Sequence, residues 1–400
     1  MHKPKHTPGI QKYETQPTLP ERRYTLRQLV VYFLKLGTWG FGGPIALVAY
    51  MQRDLVDDKK WISEEEYKDG LALAQLAPGP LAAQLAIYLG YVHHRVWGAT
   101  LAGVAFVLPS FLMVVVLGMA YKAYEGLPWM QLVFYGISAA VIGIIALSAY
   151  KLAKKTIKTD PVLIAIFLLL AAFTFLTESE SVWLFLASGV VYWFVKTPLR
   201  WGRASNGIAP LFFLLQQNVG PFDAPATLSK IFWFFTKAGA FVFGSGLAIV
   251  PFLYSGVVKE YGWLSEQQFT DAVAVAMITP GPVVITVGFI GYLVAGFAGA
   301  ATAAVATFLP CYLLTILPAP FFKKYGKNRG LQAFVNGVTA AATGAIAGAV
   351  VVLGKRSLTD LPTLGIALVT LFVLLKYKVP EPLIILAAAL TGVLMRLVFY

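Results

Sequence analysis

Hydrophobic positions in this chain come in long unbroken runs, with polar residues gathered into short segments between them. AFVLPSFLMVVVLGMA (105–120), LVFYGISAAVIGIIALSA (132–149) and VLIAIFLLLAAFTFL (162–176) are typical. A helix needs about 20 apolar residues to cross the hydrocarbon core, so each run predicts a membrane helix. A β-barrel would show ten-residue alternating segments instead, and the chain has none. The runs predict spans near 27–50, 68–92, 98–121, 130–150, 160–177 and 181–195. A second series follows near 231–256, 266–294, 298–321, 331–353, 361–375 and 382–400. The predicted fold class is an all-α polytopic membrane protein.

Two of the predicted helices are broken from within. QLAPGPLAAQ (75–84) and MITPGPVVIT (277–286) each carry two prolines around a glycine in an otherwise apolar run. Proline removes an amide donor and clashes with the preceding turn, while glycine lets the chain bend without a Cβ penalty. Proline also suits a first helical turn, so each triplet reads as a stop followed by a restart: a helix over about 63–76, a break, and a new helix near Pro80. Ser63 with Glu66 and Ser265 with Gln268 fit capping boxes that start the helix before each break.

The match between the breaks extends along the chain. Lys35 pairs with Lys237, Gly42 with Gly244, Asp69 with Asp271 and Pro78 with Pro280, each pair 202 positions apart, and VLPSFL (107–112) matches FLPCYL (308–313) after a one-residue slip. The chain is therefore two copies of one unit. The expected organisation is a disordered cytosolic tail (1–24), an N-terminal repeat (25–195), a linker (196–228) and a C-terminal repeat (229–400).

Charge gives the orientation. The chain is 58% hydrophobic and only 13% charged, with mean hydropathy +0.71, whereas soluble domains carry about 25% charged residues. Its net charge of +13 concentrates in KLAKKTIK (151–158), KTPLRWGR (196–203) and KKYGKNR (323–329), as expected of cytoplasmic loops; nucleic acid is not an expected partner. The polar N-terminal stretch has no apolar core of a signal peptide and is assigned to the cytoplasm. Keeping all three basic loops inside requires an extra crossing near 208–220. That makes about 13 membrane segments and inverts the second half relative to the first. Such inverted repeats are a common build of secondary transporters, whose site lies at the midplane. The predicted location is the cell inner membrane, surrounded by lipid, with a homodimer left open.

Candidate chemistry gathers at the breaks. A restarted helix presents unpaired N–H groups and a partial positive charge, which favours an anion. FGGP (41–44) and FGSG (243–246) form a second pair of interruptions. The candidate substrate-binding residues are Lys35, Gly42, Gly43, Pro44, Gln75, Pro78, Gly79 and Pro80, with Lys237, Gly244, Ser245, Pro280, Gly281 and Pro282. Lys35 and Lys237 either reach the site or snorkel to the interface. Asp69, Asp271, Glu64 and Glu266 follow interfacial tryptophans and are either helix-start residues or proton carriers. Gly344–Gly348 reads as close helix packing. A lone cysteine, Cys311, and four histidines offer no metal ligand set, and neither metal nor cofactor is expected.

In combination, lysine-x-glycine leading into FGGP, W-[IL]-S-E, and a PGP break followed by GY, a series repeated in the second half, resemble the chromate ion transporter family in its long, two-domain form. FGSG in the second copy departs from FGGP and leaves the halves unequal. The resemblance implies export of chromate from the cytoplasm, coupled to the proton gradient, giving chromate resistance. A carrier of sulfate or another tetrahedral oxyanion is an alternative on the residues alone. An anion channel and a membrane-embedded reductase are remoter alternatives, since a reductase would need flavin, haem or metal.

Overall fold

The computed structural model describes residues 24–41, 43–124, 128–157, 159–178, 181–197, 226–240, 246–322, 328–358, 360–377 and 379–399. Every regular element among them is helical. In the first half these are α1 (Leu26–Trp39), α2 (Gly43–Met51), α3 (Glu64–Leu76), α4 (Leu81–Tyr124), α5 (Pro128–Ile157), α6 (Pro161–Thr177) and α7 (Val182–Lys196). The second half repeats them as α8 (Ala226–Ala240), α9 (Val250–Tyr254), α10 (Glu266–Ile278), α11 (Thr286–Ile316), α12 (Arg329–Ser357), α13 (Leu361–Lys376) and α14 (Glu381–Phe399). By length and composition, helices over 81–124, 132–154, 283–321 and 329–355 can cross a membrane. The predicted crossing near 208–220 lies outside the described residues.

Four of the predicted spans are not single rods. α3 runs inward, turns at the Pro-Gly-Pro triplet, and the first part of α4 runs back beside it. Glu66 at the start of α3 meets His93, Oε1 to Nε2 at 3.1 Å, and Gly70 lies against the Tyr88 ring; both pairs are about equidistant from Gly79. α1 and α2 fold back in the same way around residues 40–43, where the Tyr32 hydroxyl donates to Asp54 Oδ2 at 3.3 Å. In the second half Phe234 stacks on Phe252, and Tyr121 meets both Asp271 and Phe289 on either side of Gly281. The spans expected near 27–50, 68–92, 231–256 and 266–294 are therefore helical hairpins. The physical reason is length: α1 and α3, at 14 and 13 residues, reach only about 20 Å at 1.5 Å per residue. A hairpin begins and ends on one side, as does a pair of crossings, so the sidedness of the later helices is unaffected.

The sequence-level caps form as expected. Ser63 with Glu66 and Ser265 with Gln268 make complete capping boxes. The second hairpin of each half leads into a long helix through a sharp reversal, at Arg95 in α4 and at Ala295–Gly296 in α11. Gly90 and Gly98 pack against each other across the first reversal, and Gly291 and Gly299 across the second.

The two halves interlock. Residues 96–124 of α4 run antiparallel to α11: Thr100 Oγ1 lies 2.6 Å from the Tyr312 hydroxyl, Phe111 meets Phe297, and Gly118 packs on Tyr292. α5 is held by α13 and α14 of the other half, where Gly136 lies against Ala388 and Gly143 against Ala367. α12 is held reciprocally by α6 and α7. There Gly344 and Gly348 lie against Phe167 and Ala171, which is the close packing expected of that glycine pair. Tyr24, at the end of the expected tail, is buried and hydrogen-bonds with His93 Nδ1 at 2.7 Å.

Candidate functional site

The hairpin tips of opposite halves converge on the middle of the two long helices. The Gly281 amide donates to the Gly40 carbonyl at 2.9 Å, joining the second-half Pro-Gly-Pro tip to the first-half tip at 40–43. Beside this bond stands Ser110, midway along residues 96–124, whose hydroxyl donates to the Gly37 carbonyl at 3.3 Å. Gly79 occupies the equivalent place against Cys311 of the second half. Gly79 and Gly281 have φ of +143° and +96°, a region that glycine enters without penalty. A Cβ at Gly79 would also come within 2.7 Å of Gln84 Nε2, so backbone conformation and space both require glycine there. Gln84 holds that tip together by donating to the Pro78 carbonyl at 2.8 Å.

Next to the tips lies a cavity of about 1440 Å³. Gly43 and Pro44 at the start of α2, Asp69 and Gln75 on α3, and Leu81 just past the first triplet form one wall, and Val283 of the second half reaches it. Across from them stand Lys151 of α5, Thr339 of α12 and Glu381 at the start of α14. The carboxylate of Glu381 would lie 3.8–3.9 Å from a Cβ placed on Gly43, so a negative group already faces the start of α2. At the rim, the Asp160 carboxylate binds Lys196 Nζ at 2.6 Å and accepts from the Tyr192 hydroxyl at 3.0 Å. Partial burial would raise the Asp160 carboxyl, but the Lys196 ammonium, the Tyr192 hydroxyl and the amides of Leu163 and Val162 outweigh it. They hold the group below the usual aspartate range.

The structure brings together only part of the predicted set. Gly43, Pro44, Gln75 and Asp69 line the cavity, with Pro78, Gly79 and Pro80 at the adjoining tip. Pro280, Gly281 and Pro282 are buried at the opposing tip. Gly42, Gly244 and Ser245 lie outside the described residues. Lys35 and Lys237 are exposed and are not among the residues lining the cavity. Glu64 pairs with Lys68 at 2.6 Å on the exposed side of α3, and Glu266 accepts from the Tyr254 hydroxyl at 3.0 Å. Asp271 is 3% exposed and is held away from the cavity, accepting from Tyr121 at 2.7 Å and Gln267 at 2.8 Å. Lys151 and Glu381 are the charged wall residues that sequence reasoning missed. Lys151 was counted among loop charges, and the only signal at Glu381 is an acidic residue between two prolines in an apolar region.

Comparison with known proteins bears on what passes through this site. The sequence pattern of the family described as "Chromate transporter" matches residues 27–193 and again 229–393. The chain belongs to the chromate transporter family. A "Chromate transport protein" of Cupriavidus metallidurans is 64% identical over 393 residues, covering 97% of this chain and 96% of its own. A protein of Synechococcus elongatus is 62% identical over 381 residues, 93% of this chain and 96% of its own. A "Chromate transport protein" of Pseudomonas aeruginosa is 29% identical over 386 residues, 91% of each chain. No solved structure matches. With its apolar helices, membership makes this chromate transporter family chain a multi-pass membrane protein, and its doubled family match agrees with the interlocked halves.

Proposed function

We propose that the chain is a secondary active transporter, not an enzyme, that exports chromate from the cytoplasm across the inner membrane in exchange for protons and so confers chromate resistance. One observation carries the reading: breaks from both halves meet at mid-helix beside a cavity. Antiparallel packing of the equivalent helices α4 and α11 supports an inverted repeat. The first-half hairpins open toward the basic loops, and the second-half hairpin base, where Lys259 pairs with Glu178 at 3.2 Å, lies at the far end of α6. Lys196 and the base of the second-half hairpins thus stand at opposite ends of α6, which supports halves of opposite orientation and a cytoplasmic N-terminus.

In this reading the anion enters from the end of α5 that carries the basic loops and meets Lys151. It then approaches the helix starts at Gly43 and Leu81, whose unpaired amides and dipoles favour negative charge. The cationic contribution falls on Lys151 rather than Lys35 and Lys237. Asp69, on the wall, is the better-placed proton carrier than the sequestered Asp271. The test is flux in proteoliposomes with chromate against sulfate, with and without an imposed pH gradient. Chromate movement stimulated by the gradient and only weakly competed by sulfate is expected. Equal handling of both anions would make the protein a general oxyanion carrier, and indifference to the gradient would remove the coupling.

A further inference from the structure

Glu381 is presented to the cavity by a rigid piece of backbone. It opens α14 between Pro380 and Pro382, and α14 packs on α5 closely enough for Gly136 to lie against Ala388 and Gly392 against Leu132. Its two carboxylate oxygens stand almost equally far, 3.8 and 3.9 Å, from a Cβ placed on Gly43, where α2 begins. Among the described residues no hydrogen bond or ion pair holds this carboxylate, and Lys151 of α5 acts on it electrostatically. The other ionisable groups around the cavity are Asp69 on α3, Tyr50 and Tyr377, and at the rim Asp160 with its partners Lys196 and Tyr192. On α10, which also packs against α14, Asp271 is bound by Tyr121 and Gln267. Apart from the rim pair, the described wall therefore sets the one ammonium of Lys151 against the carboxylates of Asp69 and Glu381. The internal repeat marks the same position: Glu180 stands 201 residues earlier, just ahead of α7, at the offset that relates Gly136 to Gly337. A glutamate thus stands at the entry of the last helix in both halves.

We infer that the Glu381 carboxylate is a tethered competitor of the oxyanion: it faces the start of α2 while the cavity is empty and yields that place by taking up a proton when an oxyanion arrives. This rests on the reading that the anion approaches the helix starts at Gly43 and Leu81. A carboxylate and a dianion a few ångströms apart repel strongly where water is scarce, and a charge left uncompensated in such a place neutralises by protonation. The fixed backbone leaves Glu381 no other retreat than rotation of its own side chain. One proton passes from water to the carboxyl as the anion binds and returns to water when the anion leaves. The linkage is reciprocal: an anion that favours the protonated carboxyl is itself held more tightly by protonation, by the same factor. Asp69 lines the α3 wall and keeps the carrier role proposed above, whereas Glu381 sets when the anion's place is free.

The test is made on binding, apart from flux. Chromate is titrated calorimetrically into the full-length chain in detergent, in two buffers of different ionisation enthalpy, so that the heats count the protons taken up. The parent should take up as much as about one proton per anion, and its affinity should fall by up to about tenfold per pH unit while Glu381 ionises. Glu381→Gln should lose that uptake and that slope, and should bind at neutral pH as tightly as the parent does in acid. Titration of chromate itself appears in both chains, so the difference between them belongs to Glu381. Infrared difference spectra on adding chromate should show a protonated carboxyl band in the parent that Glu381→Gln lacks. Equal uptake and equal slopes in the two chains overturn the inference, as does an uptake lost in Asp69→Asn but kept in Glu381→Gln. Should Glu381→Gln fail to fold, Glu381→Asp withdraws the carboxyl by one methylene. Tighter binding at neutral pH with a shallower slope is then expected, and an affinity and slope like the parent's overturn the inference. No binding to the parent even in acid overturns it too. Proton uptake at Glu381 with no chromate flux in proteoliposomes would refute the transport reading alone; flux with binding that takes up no proton at Glu381 would refute the competitor alone.

Discussion

The meeting of the hairpin tips predicts a sharp, graded response to adding one methyl group. Gly281 has φ of +96°, and a Cβ there would collide with Ser110 Oγ while standing 3.2 Å from Ser110 Cβ and 3.4 Å from the Gly37 carbonyl oxygen. Gly281→Ala therefore incurs a left-handed backbone penalty of about 1–2 kcal/mol and an overpacking penalty of about 1–3 kcal/mol. Displacement of the tip also weakens its bond to Gly40, worth about 1 kcal/mol. The sum, about 3–6 kcal/mol, is a large part of a typical net stability of about 5–15 kcal/mol. Thermal unfolding in detergent and chromate uptake by inverted vesicles should both fall. The parts separate experimentally. Ser110→Gly in the same chain removes the colliding atoms and should recover roughly the overpacking share, leaving the backbone share. Gly296→Ala is the control: φ is +61° there, but no atom lies within 4 Å of the added Cβ, and the equivalent Arg95 already has φ of +53°. It should cost no more than about 1–2 kcal/mol. A Gly281→Ala protein that melts like the parent, or a Gly296→Ala protein equally damaged, would refute the reasoning.

Further predictions concern charge. Glu381→Gln removes a carboxylate that faces the start of α2, so equilibrium binding of chromate at neutral pH should tighten several-fold, since like charges at one cavity wall repel. Weaker binding would place the anion elsewhere. Lys151→Gln should loosen chromate binding by a comparable factor, whereas Lys35→Gln should leave the dissociation constant within about twofold because its side chain is exposed and off the cavity wall; the reverse order would restore the lysine pair as ligands. Asp160 has a folded pKa below its unfolded value. Its stabilisation is therefore complete above an unfolded value of about 3.9 and lost as pH falls through the lower, folded value. The melting temperature of the parent should drop more between pH 5 and pH 3 than that of Asp160→Asn, and parallel curves would show that the Lys196 and Tyr192 contacts contribute nothing.

Much of this arrangement is written in local chemistry. The triplets at 78–80 and 280–282 mark their own breaks because proline and glycine act on the backbone in any context, and the serine caps mark the helix starts for the same reason. The number of crossings was not legible. Hydropathy weighs the apolar content of residues 68–92 but carries no sign of chain direction, so a hairpin and a span look alike. Only contacts such as Glu66 with His93 and Tyr32 with Asp54 reveal the return. The candidate site divides along the same line. Gly43, Pro44, Asp69 and Gln75 flank breaks and were found; Lys151 and Glu381 come from α5 and from the far end of the chain. They reach the cavity only because each half's helices are gripped by the other half.

That gripping also explains why a transporter for a small dianion would be built from half-length helices. An inside-negative potential drives each negative charge outward with about 2.3 kcal/mol per 100 mV, so about 4–5 kcal/mol favours export of a dianion before any proton is counted. The obstacle is the barrier, since moving one ion into hydrocarbon costs on the order of 20 kcal/mol. Continuous helices hide their amides in their own ladders and cannot lower that barrier. Breaking them at mid-depth exposes helix starts where the hydrocarbon is thickest, but in lipid each freed polar group must then find a partner. The two halves answer that demand for one another. The Gly281 amide is satisfied by the Gly40 carbonyl of the other half, whereas the Pro78 carbonyl is met within its own half by Gln84, and the starts of α2 and α4 remain beside the cavity. A single half would expose the bonds that the second half closes, and this is the physical reason for the chain to carry the unit twice.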